Sequence, residues 1–458
     1  MLLFIFKCTD FHKNLSKIKH LKTEFYLNTV NQLFDKKLIN IDNLRRNSNI
    51  TLVIFALYVT IMTYKKFPSY LFILIISIAF LSCSDKQKKN ESEEDDAETF
   101  YPYMKPSTVK YAKLSPNYIQ SKKSQVENFC DKYWRNENNS LSFLVAKDGQ
   151  IIYERYQGYA NKNKDTKITQ ETPIHIASVS KVLTATAVLI LIDRKDIDLN
   201  QKVNTILDNF PYPDITVATL LNHRSGLRNY AYFIEDKGVW DLHNTITNQD
   251  ILNLFTEKNI QLESKTDTRF SYCNTNYAML ALIIEKVTGL KFADAMKEMI
   301  FDPLKMTHTF VFDFDKGQKP EVPSYKASGM ELAIDHLDAV YGDKNIFSTP
   351  RDLMKFDLAR NSPDFLNKKL RKKIYKGYSN EHKGTKNYGL GIRMVEWETG
   401  QKFYFHNGWW HGYTSSYITL QKENVVIIAL SNKFTKNVYA ARKLAPIFGD
   451  YPFKLEDE

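Results

Sequence analysis

The sequence predicts an α+β fold: an antiparallel sheet built from N- and C-terminal strands, flanked by helices, with an inserted and mostly helical lobe. Three observations carry this. Apolar strand-like runs occur at both ends, Leu141–Ala146 and Gln150–Tyr156 first, then Tyr388–Val395, Lys402–His406, Thr414–Leu420 and Val425–Ser431. Between them, residues from about 200 to 370 have helical patterning. Finally, Val182, Leu183, Ala185, Val188, Leu189, Leu191 and Ile192 make the segment from Ser178 to Ile192 apolar nearly all round, the mark of a buried helix. The cleft between sheet and lobe is where a site belongs.

Four segments follow one another along the chain. Residues 1–61 read as an over-extended stretch upstream of a start at Met62, or as part of a two-segment membrane anchor. Residues 62–82 read as a lipoprotein signal peptide. Lys65-Lys66 give it a cationic opening, and Phe67 to Leu81 form an apolar run of about 15 residues, short of the ~20 that span a bilayer. That run closes on Phe80-Leu81-Ser82-Cys83, which resembles the lipobox of bacterial lipoproteins. Cys83 is then the lipidated mature N-terminus, on an envelope membrane facing the periplasm or the cell surface; an uncleaved anchor is the alternative. Residues 83–115, charged through Glu93-Glu94-Asp95-Asp96, read as a polar tether. Residues 116–450 read as one domain. Within it Tyr118 to Trp134 suits an amphipathic helix, Asp148-Gly149 a hairpin turn and Thr349-Pro350-Arg351-Asp352 a capped helix start, with a closing helix from Lys436 to Ile447.

The formal charge of +11 invites a nucleic-acid partner, but its distribution argues against one. Residues 1–82 carry 11 Lys/Arg against 4 Asp/Glu, whereas the rest of the chain carries 52 against 48. A domain so nearly balanced has no broad phosphate-binding stripe. The cysteines are Cys8, Cys83, Cys130 and Cys273, and no C-x2-C or H-E-x-x-H spacing occurs. No metal or cofactor is expected, and nothing favours a Cys130–Cys273 disulfide. His406 and His411 have no carboxylate neighbours in sequence and give no metal site.

Three elements carry chemistry. The first is Ser178-Val179-Ser180-Lys181 at the start of the buried helix. A hydroxyl is a weak nucleophile and needs a base in reach, and residues three apart share a helix face, so Lys181 can serve Ser178. Ser180 lies on another face. The second is Tyr272-Cys273-Asn274, which supplies a phenol for proton transfer and an amide able to hold a substrate carbonyl and the lysine. Taken alone, it also reads as a loop whose Asn274 caps a helix. The third is His406-Asn407-Gly408-Trp409, at the end of a predicted strand. There Gly408 lets a substrate backbone lie along the strand edge, and the N–H of Trp409 can join that of Ser178 as an oxyanion donor. Taken alone, it reads as a turn with His406 exposed.

S-x-x-K opening a buried helix, Y-x-N about 90 residues later and H-x-G near the C-terminal strands together resemble the class C β-lactamase, D,D-peptidase and esterase superfamily of penicillin-recognising serine hydrolases. Leu220-Leu221-Asn222-His223-Arg224-Ser225-Gly226-Leu227 is similar to the family's "LLTHTSGL" stretch, and Pro303-Leu304-Lys305-Met306 resembles its "PLGM" loop. The resemblance spans roughly residues 120–435 and implies a β-lactamase-like fold. It implies acylation of Ser178, proton handling by Lys181 and Tyr272, and substrate binding by Asn274, His406, Gly408 and Trp409. It also implies a small-molecule or peptide substrate. The activity reads as ester, amide or peptide hydrolysis. The alternatives are a β-lactamase or D-alanyl-D-alanine carboxypeptidase, or a receptor that binds cell-wall fragments without turnover. Asn222–Gly226 reads as a structural turn with His223 bonded locally.

Overall fold

The computed structural model describes residues 104–136, 139–314, 318–382 and 384–453; Cys83 and the rest of the leader lie outside the described residues. Residues 104–115, the end of the stretch read as a tether, run along the domain. Met104 is buried there, and its N–H donates to Met299 O at 2.9 Å. Helix α1 (Pro116–Tyr133) follows, capped by Ser115, with Pro116 in the first turn. Strands β1 (Leu141–Lys147) and β2 (Gln150–Gln157) form a hairpin, Lys147 opposite Gln150. Asp148 and Gly149 both have positive φ, as a tight two-residue turn requires.

Short strands β3 (Tyr159–Asn161), β4 (Thr166–Lys167) and β5 (Ile174–His175) lead through a 3₁₀ turn, Ala177–Val179, into α2 (Ser180–Asp193). The lobe contributes α3 (Val217–Leu221), α4 (Tyr230–Phe233), α5 (Asn248–Glu257), α6 (Asn274–Thr288) and α7 (Phe292–Met296). Strands β6 (Phe310–Val311) and β7 (Ile346–Ser348) pair with β5 in a small sheet. After α8 (Pro350–Arg360) and α9 (Lys368–Ile374) come β8 (Lys386–Tyr388), β9 (Arg393–Glu396), β10 (Lys402–Trp410), β11 (Tyr413–Leu420) and β12 (Val425–Ser431). Asn437–Ile447 closes the chain as a 3₁₀ helix with Pro446 inside it.

The main sheet has the order β2-β1-β12-β11-β10-β9-β8 and is antiparallel throughout. β1 lies beside β12, Ser142 opposite Leu430, so the two ends of the domain close one sheet as expected. Both faces are covered, which is why these strands read as continuous apolar runs. Phe143, Val145, Ile427 and Ala429 face α1 and the closing helix, while Leu144, Ala146, Ile428 and Leu430 face the core shared with α2 and the lobe. Cys130 sits in the first core and Cys273 in the second; both are free thiols. Among the described residues no helix is long and apolar enough to cross a membrane.

Two elements differ from expectation. The single strand expected over Tyr388–Val395 is two strands, β8 and β9, joined by a turn in which Gly389 N–H donates to Ile392 O. Gly391 in that turn has φ +82, and a Cβ there would sit 2.2 Å from Ala185 Cβ of α2. The His406–Trp409 element is not a turn: β10 continues to Trp410, and the chain reverses at His411 and Gly412.

Candidate active site

From Ile174 to Leu191 every side chain is buried except Ser178. The turn that lifts it is strained, because Ala177 holds φ 48 without being glycine. Three contacts fix that turn. Ser415 Oγ donates to Ile176 O at 2.6 Å, Ala177 N–H donates to His175 Nδ1 at 3.1 Å, and Val179 N–H donates to Ile176 O at 3.1 Å. His175 is neutral, since burial drives its pKa down to about 3. Ser180 is fully buried, and its Oγ accepts from Ile346 N–H, which leaves Ser178 as the nucleophile candidate.

Lys181 is fully buried one helical step on, with Nζ 3.1 Å from Ser178 Oγ and 2.8 Å from Asp343 O. Its nitrogen lies 5.2 Å from the ring centre of Tyr272. Tyr272 is half-buried, with the His223 ring 4.4 Å away and the Arg393 guanidinium carbon 4.4 Å from its ring centre. Asn274 opens α6, and its buried Oδ1 has no hydrogen-bond partner among the described residues. The expected Asn274–Lys181 bond is therefore absent; the lysine turns to Ser178 and Asp343 instead. A buried, unpaired acceptor at a site is a place for a ligand donor or a water.

Strand alternation sorts the third element. His406, Gly408 and Trp410 point to the lobe side, whereas the Trp409 indole packs on Phe434 and is 64% exposed. Any role for Trp409 at Ser178 must come from its backbone. Gly408 makes room for the nucleophile turn: a Cβ there would lie 2.3 Å from Ser415 Oγ, 2.5 Å from Ile176 O and 2.9 Å from Ala177 Cβ. Gly408→Ala is expected to push that turn away, lowering the melting temperature by the equivalent of roughly 1–3 kcal/mol. It should also slow Ser178 acylation by a fluorophosphonate at least about tenfold. An unchanged labelling rate would refute this account of Gly408.

His406 is buried rather than exposed. Its Nδ1 faces Asn407 O at 3.0 Å, a group that only accepts, so Nδ1 carries the proton and Nε2 accepts from Tyr388 O–H at 3.1 Å. Burial first, then the charges of Arg393 and Lys181, hold its pKa well below 6.5. It is a neutral, fully bonded ring.

Three residues of this site were not read from sequence as part of it. Asp343 supplies the carbonyl that holds Lys181. Arg393 brings a guanidinium to Tyr272, and among the described residues no carboxylate lies within ion-pairing distance of it; its one signal was a lone charge within an apolar stretch. His223, expected to bond locally, instead accepts at Nδ1 from Cys273 N–H at 3.2 Å and lies 3.0 Å from Asn276 Nδ2, so it pins the Tyr272–Asn274 loop from 50 residues away. Burial, reinforced by Lys181 and Arg393, keeps it uncharged. His411 also has company that the sequence hid, with Nε2 3.0 Å from the buried Asp338 carboxylate.

The sequence profile of the beta-lactamase family matches residues 126–448. Penicillin-binding protein 4* of Bacillus subtilis (strain 168) is 28% identical over 332 residues, covering 69% of this chain and 72% of the relative. A teichoic acid D-alanine hydrolase of Staphylococcus aureus is 28% identical over 229 residues, covering 49% of this chain and 55% of that relative. The crystal structure of penicillin binding protein from Bacillus halodurans gives a TM-score of 0.60 at 22% identity, covering 70% of this chain and 98% of that one, a likeness of fold. With that match spanning nearly the whole described domain, this chain belongs to the beta-lactamase family and is a serine hydrolase.

Proposed function

We propose that Ser178 attacks the carbonyl of an ester, amide or peptide and forms an acyl-enzyme, on a protein held at the cell envelope by a lipid on Cys83. The observation that carries the reading is the 3.1 Å approach of Lys181 Nζ to the one hydroxyl of the buried helix start that reaches solvent. Lys181 and Tyr272 take the serine proton as one unit; Tyr272 returns it to the leaving group and later helps activate the deacylating water. The N–H groups of Ser178 and Trp409 serve the oxyanion, each worth roughly 3–4 kcal/mol in the transition state. Asn274, through its unpaired Oδ1, accepts from an N–H of the substrate. The relative that is a teichoic acid D-alanine hydrolase supports a D-alanine derivative as the kind of substrate.

A second reading, D-alanyl-D-alanine carboxypeptidase or β-lactamase, gains support from Arg393, whose charge beside Tyr272 suits a substrate carboxylate. Turnover separates both from a receptor that traps its ligand. With a p-nitrophenyl short-chain ester, steady-state release of many equivalents is expected, and the acyl adduct should decay on chase. Release that stops at one equivalent would replace the hydrolase reading with the receptor. For the anchor, a fatty-acid analogue should label the wild type and not Cys83→Ser; equal labelling of both rejects the lipoprotein.

A further inference from the structure

Lys181 is held by a backbone carbonyl, and a carbonyl only accepts. One N–H of the amine is therefore always committed to Asp343 O, and the direction left over faces Ser178 Oγ. Whatever fixes the Asp343–Lys344 peptide thus fixes how the amine meets the hydroxyl. That peptide lies between two left-handed residues, Gly342 at φ +89 and Asn345 at φ 74. Gly342 is wedged in place, since a Cβ there would lie 2.5 Å from Tyr277 O, and its own carbonyl accepts from Thr184 Oγ1 of α2 at 2.7 Å. Asn345 Nδ2 donates to Asp338 O and Val340 O.

Between these anchors, two adjacent charged side chains converge on one phenol. Tyr230 O–H donates to Asp343 Oδ2 at 3.0 Å and accepts from Lys344 Nζ at 2.7 Å. Lys344 Nζ also lies 3.5 Å from Asp343 Oδ1 and 4.6 Å from the ring centre of Trp410, whose indole N–H donates to Asp338 at 2.6 Å. The side chains of Lys344 and Asp343 are 2% and 1% exposed, too buried to meet a substrate. A buried ion pair is a weak device for stability alone, because desolvation offsets the attraction. It is a strong device for holding one geometry.

We propose that Asp343 and Lys344 are positioning residues for Lys181: their buried pair, closed through Tyr230, fixes the carbonyl that aims the Lys181 nitrogen at Ser178. The proposal rests on the Ser178–Lys181 reading above. Lys344→Met keeps the stem on Trp410 and removes the charge. In the full-length protein, measured by p-nitrophenyl ester acylation, it should lower the acylation rate about 10- to 100-fold while KM changes less than about threefold. The same substitution in a Lys181→Ala background should change acylation less than about twofold, because the pair acts only through Lys181. Equal fold-losses in both backgrounds would show a general packing defect and overturn the proposal. A folded Lys344→Met enzyme with wild-type acylation would overturn it as well. Where Lys344→Met melts before assay, Tyr230→Phe, which removes the bridging hydroxyl and keeps the ring, is put through the same cycle and judged by the same criterion. A Ser178→Ala arm separates the two levels. Acylation that survives it fells the Ser178 reading and this inference together, whereas acylation lost there with equal losses in the two backgrounds fells this inference alone.

Discussion

Ser178→Ala is expected to abolish covalent labelling by a fluorophosphonate and to lower ester turnover by at least about 10⁴-fold, since no second hydroxyl at the helix start can replace it. Ser180, two residues on, is fully buried and already accepts from Ile346 N–H. Mass spectrometry should place the wild-type adduct on the Ser178 peptide. Lys181→Ala and Tyr272→Phe should each slow labelling by roughly 10²- to 10⁴-fold, within the range expected of a positioned proton-transfer group. The double variant should fall little below the worse single one. The reason is geometric: the lysine nitrogen lies 3.1 Å from the serine oxygen and 5.2 Å from the Tyr272 ring centre, so the groups share one proton path. Strictly multiplicative losses would mean two independent routes and would break the unit. Labelling undiminished in Ser178→Ala would move the nucleophile elsewhere.

The nucleophile segment was legible because its signal is local. S-x-x-K at the head of an apolar helix places serine and lysine on one face, and burial of everything around Ser178 follows from that helix being apolar all round. The sheet was legible for a related reason, since strands covered on both faces read as unbroken apolar runs. What failed was punctuation. Asn407-Gly408 is the dipeptide that most often marks a hairpin, and here it lies inside a strand. Gly408 is required by the approach of Ile176 and Ala177, a contact made across 232 residues of sequence distance from Ile176. In Tyr388–Val395 the opposite happened, and Gly389 and Gly391 inside an apolar run made a turn because α2 and Ile374 press against them. The supporting residues were illegible for the same reason. His223, Asp343 and Arg393 act on groups distant in sequence, and a histidine in a turn or a lone arginine in a strand looks alike whether or not it meets a phenol.

Substrate choice follows from where the positive charge stands. A cephalosporin presents a carboxylate next to its reactive amide, and family β-lactamases that read K-T-G offer it a lysine and a hydroxyl on the strand. Here β10 offers His406, neutral and with both ring nitrogens engaged, and Asn407, whose side chain strand alternation turns away from the lobe. Each lost charge-assisted bond weakens carboxylate recognition by roughly 1.5–3 kcal/mol, or about 10- to 100-fold. A chromogenic cephalosporin is therefore expected to show a kcat/KM at least about 100-fold below that of a p-nitrophenyl short-chain ester. Acidification should not rescue it. Burial holds the folded pKa of His406 well below 6.5, so the ring stays uncharged as pH falls from about 8 to 6.5, and cephalosporin KM should not improve over that window. What affinity remains for anionic substrates falls to Arg393, which stands on β9 opposite Phe405 of β10 with its guanidinium carbon 4.4 Å from the Tyr272 ring centre. Arg393→Met should lower kcat/KM for the cephalosporin, or for a carboxylate-bearing ester, by roughly tenfold, while a neutral ester changes less than about threefold. Equal losses on both would assign the guanidinium to Tyr272 rather than to substrate. Cephalosporin turnover as fast as the ester's would overturn the preference itself and make antibiotic hydrolysis the leading activity.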